Sequence, residues 1–594
     1  MEKRFLITTA LEETWRDDAP VLFLGEWCRR YDRQDAWQGL DAAVLPYHWD
    51  DRGKLHRDYL YLQALYETML GELAEQLNEM HGVRRSVRYW RILVGPWLGY
   101  FLQVLFDRWA VVRQALAEYE VCGARVIAGP GHPLVPNDMD GFQVAFVTDG
   151  WNESIWGELL ERLGVPVEFV PGAAQASLPR TVYVWKSPAV KLKIAVSRVV
   201  SALSGIVCRP DEYFLISSYL PTRLALSLQW KLGQIPKYWQ SAPVPLVPAD
   251  HNRRKERAAN FSGDDFPSLA RAMVQRHIPT AYVEGYRQLL EAPAKLRWPR
   301  RPRAIFTANA YASDDVFKAW AADKVEAGTP LVIGQHGGVF GTAGWMFIEE
   351  HQIAIADRFL TWGWRQEGCE RVVPFGDLKD IGRSQTTDPG GAALMVGMTV
   401  PRTSYHLYSL PIASQWLRYF DEQCRFVEAL PPALRSQLLI RLYPQDYAWC
   451  QRRRWLDRFP AIRLDAGQEP ITSVIAKSRL YISTYNATTY LESLTLDIPT
   501  IIFWNPEYYE LREAAIPAFE LLKAVGIFHE TPESAAAHMA NVWNDVDAWW
   551  QSDATQRARR EFCQGYARIP ERPADTLAEI FRQAGNDAAR SRPA

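Results

Sequence analysis

The chain has 594 residues, 48% of them hydrophobic, which is more than a single hydrophobic core organises, so two or more domains are expected. Its 67 Lys and Arg against 69 Asp and Glu nearly cancel, which argues against a polyanion-binding field and hence against a nucleic-acid partner. Seven scattered cysteines write neither a CxxC zinc site nor a disulfide framework, and no stretch reaches the roughly 20 apolar residues of a spanning helix.

The opening MEKRFLITTALEETWRDD lacks the h-region of a signal peptide, so a cytoplasmic location is expected, with at most peripheral contact at the inner face of the membrane. Apolar runs at Phe5–Thr8 and Val21–Leu24 read as strands and precede an amphipathic helical pattern at His56–Met80. A mostly helical block follows at Ser86–Tyr119, whose apolar part, Ile92–Phe106, reads as buried. Strands are expected at Ala124–Ala128 and Phe142–Val147, the second running into Thr148-Asp149-Gly150-Trp151-Asn152-Glu153 and a helix. Between Leu220 and Asp265, Pro221, Pro236, Pro243, Pro245 and Pro248 predict an irregular excursion that ends in a charged run. Strands at Ala304–Ala308 and Pro330–Gly334 around a helix at Asp314–Ala327 form a βαβ unit.

The segment 367–391 reads as a domain linker. Beyond it, strands at Ala393–Val400, Leu438–Leu442, Ile462–Leu464, Leu480–Ser483 and Thr500–Trp504 alternate with helices, which predicts a parallel, doubly wound sheet. The expected fold is therefore α/β, with two doubly wound domains facing a cleft. Residues 1–366 form an N-terminal domain on the acceptor side with helical insertions, 392–552 a Rossmann-like nucleotide-sugar-binding domain, and 553–594 a helix and tail.

Ligands of such sheets lie at the carboxyl ends of the strands. There, Ser483-Thr484-Tyr485-Asn486-Ala487-Thr488-Thr489-Tyr490-Leu491-Glu492 passes from a strand into a helix start, a seat for phosphate in which Ser483, Thr484, Asn486, Thr488 and Thr489 are candidate donors and Glu492 a hydroxyl acceptor. The alternative for Thr489 and Glu492 is a capping box. Arg441 and Pro444 follow another strand, and Arg441 offers a fork for phosphate or a surface ion pair. Gly334-Gln335-His336-Gly337-Gly338, with Glu349 downstream, places a proton-exchanging side chain among glycines. Asp149, with Asn152 and Glu153, is a further candidate base or nucleophile, or else a helix cap. No HExxH, credible DxD, Walker or GxGxxG pattern is present, so neither a metal nor a resident cofactor is expected.

With these motifs the chain resembles a family of transferases encoded in bacterial O-antigen and surface-polysaccharide clusters. The resemblance rests on Arg4-Phe-Leu-Ile-Thr-Thr9, Gly334-Gln-His-Gly-Gly338 with Glu349 and His351, Asp357-Arg-Phe-Leu-Thr-Trp-Gly-Trp364, Arg441-Leu-Tyr-Pro444 and Ser483–Glu492 with Phe503-Trp504. The C-terminal half is more remotely similar to GT-B transferases that use CMP-activated acidic sugars, the β-Kdo enzymes of capsule and lipopolysaccharide. Ser483-Thr484 matches their second motif, while Tyr443-Pro444 stands where they have His-Pro.

The resemblance implies a GT-B-like fold and transfer of a sugar, such as Kdo from CMP, to a surface glycan. Partners would be a nucleotide-sugar donor and a glycan or lipid-linked glycan acceptor. Arg441, Pro444 and Ser483–Glu492 would hold the donor, and His336, Asp149 or Glu349 would act as acid, base or nucleophile. A polyol-phosphate transferase, a nucleotide-sugar epimerase and a non-catalytic glycan-binding assembly protein are the alternatives.

Overall fold

Three parallel sheets, rather than two, organise the chain. The computed structural model describes residues 3–590 apart from 128–133, 172–187, 262, 264 and 405. The first sheet contains β1 (Lys3–Ile7), β2 (Val21–Phe23), β3 (Ala42–Val44), β4 (Glu120–Ile127) and β5 (Val167–Val170), in the order β3-β2-β1-β4-β5. Ala128, the expected end of the fourth strand, lies outside the described residues. The middle sheet contains β6 (Phe214–Leu215), β7 (Ile305–Thr307), β8 (Leu331–Gly334), β9 (Arg358–Thr361) and β10 (Val372–Pro374), stacked in sequential order.

The third sheet contains β11 (Ala392–Val396), β12 (Leu438–Arg441), β13 (Arg463–Asp465), β14 (Ser478–Ser483), β15 (Thr500–Phe503) and β16 (Phe528–His529), in the order β13-β12-β11-β14-β15-β16. Its strand order reverses between β11 and β14, which sets the ligand crevice of a doubly wound sheet there. Pairings in all three sheets are parallel, so the α/β class expected from the sequence holds.

The middle and third sheets meet through loops at their carboxyl ends, where Gly338 N donates to Thr488 Oγ1, and the first sheet is an additional unit. A single N-terminal domain over 1–366 is therefore corrected to two sheets. The linker expected at 367–391 is corrected as well, because it begins with β10, whose Val372 to Pro374 pair with Phe359 to Thr361. The last helix, Pro573–Arg590, returns to the middle sheet: Leu577 and Phe581 bury against the cluster of Tyr213, Phe306, Val332 and Leu360. Residues 591–594 of the expected tail lie outside the described residues.

Two further expectations change for local reasons. The strand at Phe142–Val147 is instead the helix Met139–Ala145, started by Asp138, whose carboxylate accepts from Gly141 N at 2.7 Å. A short apolar run cannot separate strand from helix, and the cap decides it. The proline-rich excursion contains the helices Thr222–Lys231 and His251–Ala258, with Pro221 at the N-cap of the first, where it costs no hydrogen bond.

Two long helices, Arg52–His81 and Val87–Glu118, begin at Asp51 and Ser86 caps and pack against each other. Ile92–Phe106 is buried as expected, apart from the half-buried Tyr100. Gly99 makes room for the helix Phe347–Ile355, since a Cβ there would lie 1.9 Å from the Phe347 ring.

Candidate functional site

The loops after the middle strands converge on the start of the helix Thr488–Thr495. After β8, Gln335 is fully buried; its Nε2 donates to Gly337 O at 2.7 Å, and its Oε1 accepts from Trp362 N at 3.0 Å and Trp364 Nε1 at 2.8 Å. One side chain thus fixes the glycine loop to the end of β9. His336 stands among Tyr219, Tyr311 and Phe340, with ring centroids at 6.1, 6.2 and 5.3 Å. Burial pulls its pKa down to about 4, opposed by a contact with the Ala308 backbone that favours the protonated ring. Its Nδ1 is buried without a partner. In the neutral tautomer protonated at Nε2, Nδ1 carries a lone pair. The facing loop after β6 is strained, with Ser217 at φ 47° and Tyr219 at φ 58°.

On the opposite side, the hydroxyls at the end of β14 are already used. Thr484 Oγ1 donates to Val396 O at 2.8 Å and meets Tyr419 OH at 2.6 Å, pinning β14 to β11, while Ser483 Oγ donates to Tyr485 O at 3.3 Å. Asn486 Oδ1 accepts from Thr342 Oγ1 at 3.2 Å and Tyr490 OH at 3.0 Å, and its Nδ2 is buried without a partner. Thr489 Oγ1 donates to Tyr485 OH at 3.4 Å and Glu492 pairs with Lys379, so the Thr489–Glu492 capping box does not form. Ala487 is the N-cap and no side chain caps the helix, which leaves its positive end to another group. Arg441 is occupied by Asp465 at 2.6 Å and by Glu469 O at 2.6 Å, and the exposed Pro444 lies against Gly467.

The two sides touch directly. Gly338 N donates to Thr488 Oγ1 at 3.0 Å, and a Cβ on Gly338 would lie 2.6 Å from both Ala487 O and Thr488 Cα. Both atoms are backbone and have little freedom to yield. Gly338→Ala is expected to cost about 1–3 kcal/mol in a urea melt by overpacking, with an unchanged melt as the contrary result.

Glu349 also spans the seam. It is buried, accepts from Gly341 N at 2.6 Å and pairs with Arg512, so it positions the glycine loop rather than standing open as a base.

Two carboxylates that the sequence reading passed over lie after β10. Asp377 and Asp380 are buried, and each has one oxygen without a partner. Burial, and then the charge of Asp380, push the Asp377 carboxyl up to about 8, and the two carboxyls, within hydrogen-bond reach of each other, titrate as a pair. Lys379 between them reaches Glu492 on the helix Thr488–Thr495. The signal is a D-x-x-D separated by Gly376 from the short apolar run Val372-Val-Pro-Phe375, inside the segment expected to be a linker.

The remaining candidates lie at the first sheet. Asp149 opens the helix Asp149–Arg162, which Thr148 caps, and it pairs with Arg402 from the loop after β11. Asn152 accepts from Arg108 at 2.7 and 3.1 Å. Glu153 Oε2 accepts from Thr8 and Thr9 at the end of β1, both at 2.8 Å, and burial raises its pKa to about 7.

A raised pKa means that the folded state holds a proton the unfolded chain has lost. The stabilisation from Glu153 is complete below pH 4.5 and lost as pH rises through 7. Glu153→Gln keeps an acceptor for both threonines. It is expected to gain stability relative to wild type as pH rises across that window, by about 3 kcal/mol in total. Parallel pH-stability curves in urea would contradict this assignment. Among the described residues, no group of three or more His, Cys, Asp or Glu side chains is arranged to hold a metal ion.

Comparison with known proteins gives a match to the LIC12162 family transferase model over residues 4–581. The chain belongs to the LIC12162 transferase family. That match spans all three sheets, so the LIC12162 family unit includes the first sheet and the returning C-terminal helix. No curated protein matches the chain. Among solved structures, it is similar to the spinosyn rhamnosyltransferase SpnG complexed with spinosyn aglycone, at 12% identity and a TM-score of 0.32 over 62% of this chain and 99% of that one. It is also similar to WaaG, a glycosyltransferase involved in lipopolysaccharide biosynthesis, at 13% identity and a TM-score of 0.26 over 62% and 99%.

Proposed function

We propose that this transferase is a glycosyltransferase whose reaction takes place in the seam between the middle and third sheets. The observation that supports the reading is the contact of the glycine loop with the uncapped start of the helix Thr488–Thr495, where Gly338 N meets Thr488 Oγ1, with His336 Nδ1 and Asn486 Nδ2 buried without partners on the loops to either side. Native interiors usually satisfy such atoms, and a polar ligand is one way to do so. A nucleotide sugar supplies hydroxyls for the acceptors and phosphate oxygens for the amide and the uncapped helix start.

The neutral His336 takes the proton of the acceptor hydroxyl at Nδ1 as that oxygen attacks the anomeric carbon. In this reading the negative charge developing on the leaving phosphate is met by the N-terminus of the helix Thr488–Thr495 and by Asn486 Nδ2. One base and one displacement give inversion at the anomeric carbon.

Ser483-Thr484, the motif shared with CMP-Kdo transferases, makes a CMP-linked ulosonic sugar the first donor to test, with a surface glycan as acceptor. In this reading Ser483 and Thr484 shape the crevice through their bonds to Tyr485 and Val396.

The test is incubation with CMP- and UDP-sugars, first without acceptor and then with a glycan acceptor, followed by NMR of the product anomer. Donor cleavage and a product of inverted configuration are expected. An epimerised donor, or failure of every donor to bind or react, would overturn the reading.

A further inference from the structure

From Val196 on, the helix Pro188–Ile206 is turned inside out relative to an ordinary surface helix. Its serines face the protein: Ser201 and Ser204 are buried and accept from Gln240 N at 3.0 Å and Tyr238 N at 3.1 Å. The apolar residues of this stretch face outward. Val196, Val199, Val200, Leu203 and Ile206 recur at helical spacing and are all exposed, Leu203 at 57% and Ile206 at 64%. Ile235 and Tyr238, on the segment tied to the buried face, are exposed beside it. No helix among the described residues is long and apolar enough to cross a membrane, so this face is not part of a span.

The helix ends at a cationic cavity. Gly205 packs so closely on the turn at Leu296–Arg297 that a Cβ would lie 3.0 Å from Arg297 Cβ. Beyond it opens a cavity of about 730 Å³ lined by Arg85, Arg209, Arg297, Arg300 and Lys324, with Asp323 as the one carboxylate in the lining. Asp323 is taken by Arg85 and Lys324, at 3.1 and 2.9 Å. Arg209, Arg297 and Arg300 are exposed and form no ion pair among the described residues. Trp298 and Trp320 complete the wall.

We propose that this surface docks the protein on an anionic phospholipid bilayer. The outward face of Val196–Ile206 lies in the plane of the interface, and the cavity receives a headgroup phosphate. An apolar strip bordered by unpaired guanidinium groups is the composition that binds anionic interfaces, where apolar burial and attraction to phosphate act together. A second copy of this chain would bring the same unpaired cations against each other, so the charge argues for lipid. The inference does not depend on the chemistry proposed for the seam.

The test is flotation of the full-length protein with vesicles of phosphatidylcholine alone and of phosphatidylcholine with phosphatidylglycerol. Binding to the anionic vesicles is expected, weakening as salt is raised. The double variant Leu203→Asp, Ile206→Asp is expected to lose about tenfold or more in affinity, and Arg297→Glu, Arg300→Glu to lose the preference for anionic lipid. All four positions are exposed, and circular dichroism checks that the variants fold. Failure to bind either vesicle, or unchanged binding by both double variants, would overturn the proposal. So would a dimer in sedimentation that Leu203→Asp, Ile206→Asp dissolves without any vesicle binding.

Discussion

Replacing His336 with glutamine is expected to lower the rate of sugar transfer by about a hundred- to ten-thousand-fold, the usual contribution of a positioned general base. Donor binding should change little, because His336 faces the acceptor hydroxyl in this arrangement. Single-turnover kinetics at saturating donor separate the two quantities.

The variant should also be more acid-stable. Burial lowers the His336 pKa to about 4, so the unfolded chain binds a proton that the folded one does not. The contribution of that ring to stability is present above pH 6.5 and lost as pH falls through 4. Glutamine carries no such penalty, and the stability difference between variant and wild type should grow as pH drops across that interval. A variant with normal turnover would remove His336 from the chemistry.

The second large effect is on stability and lies away from the seam. Arg108 is completely buried; it pairs with Asp107 and donates to Ser404 Oγ at 2.8 Å and to Asn152 Oδ1. Burial alone would raise the Asp107 pKa, but Arg108, His48 and Tyr47 overcome it and hold the group at about 2. Arg108→Met leaves that carboxylate buried without its guanidinium and is expected to cost about 3–5 kcal/mol in urea unfolding. The deficit should shrink toward acid pH, where Asp107 of the variant takes up a proton more readily than that of the wild type. Because Ser404 follows β11 and Asn152 lies in the first unit, the substitution should also loosen the first unit from the third. A loss below about 1 kcal/mol would show that Arg108 is not the partner that keeps Asp107 charged.

The third sheet was the most legible part of the sequence, because strands such as Leu480–Ser483 and Thr500–Trp504 are buried on both faces and separated by helical runs. Their approximate positions follow from that alternation, whereas the crevice beside β14 depends on the strand order β12-β11-β14, which alternation does not give. The middle sheet was obscured by the brevity of β6 and β10, two and three residues long, which local pattern cannot distinguish from loop.

The polar run from Ser483 to Glu492 was found, but its bonding was not. Whether Thr484 faces a ligand or the Val396 carbonyl depends on the register of β14 against β11, a long-range property. Glu349 and Asp149 pair with Arg512 and Arg402, more than a hundred residues away in sequence, which no spacing rule detects. Asp377 and Asp380 were readable in principle, since two carboxylates three apart after an apolar run invite attention. Their significance arises only from burial.

The most direct test of the central claim is hydrogen exchange of the full-length chain with and without CMP, UDP and GDP. The seam between the middle and third sheets predicts that the nucleotide that binds slows exchange at 334–341 and 484–490 together. Protection confined to the end of β1 and to 149–153, or none with any of the three nucleotides, would contradict it.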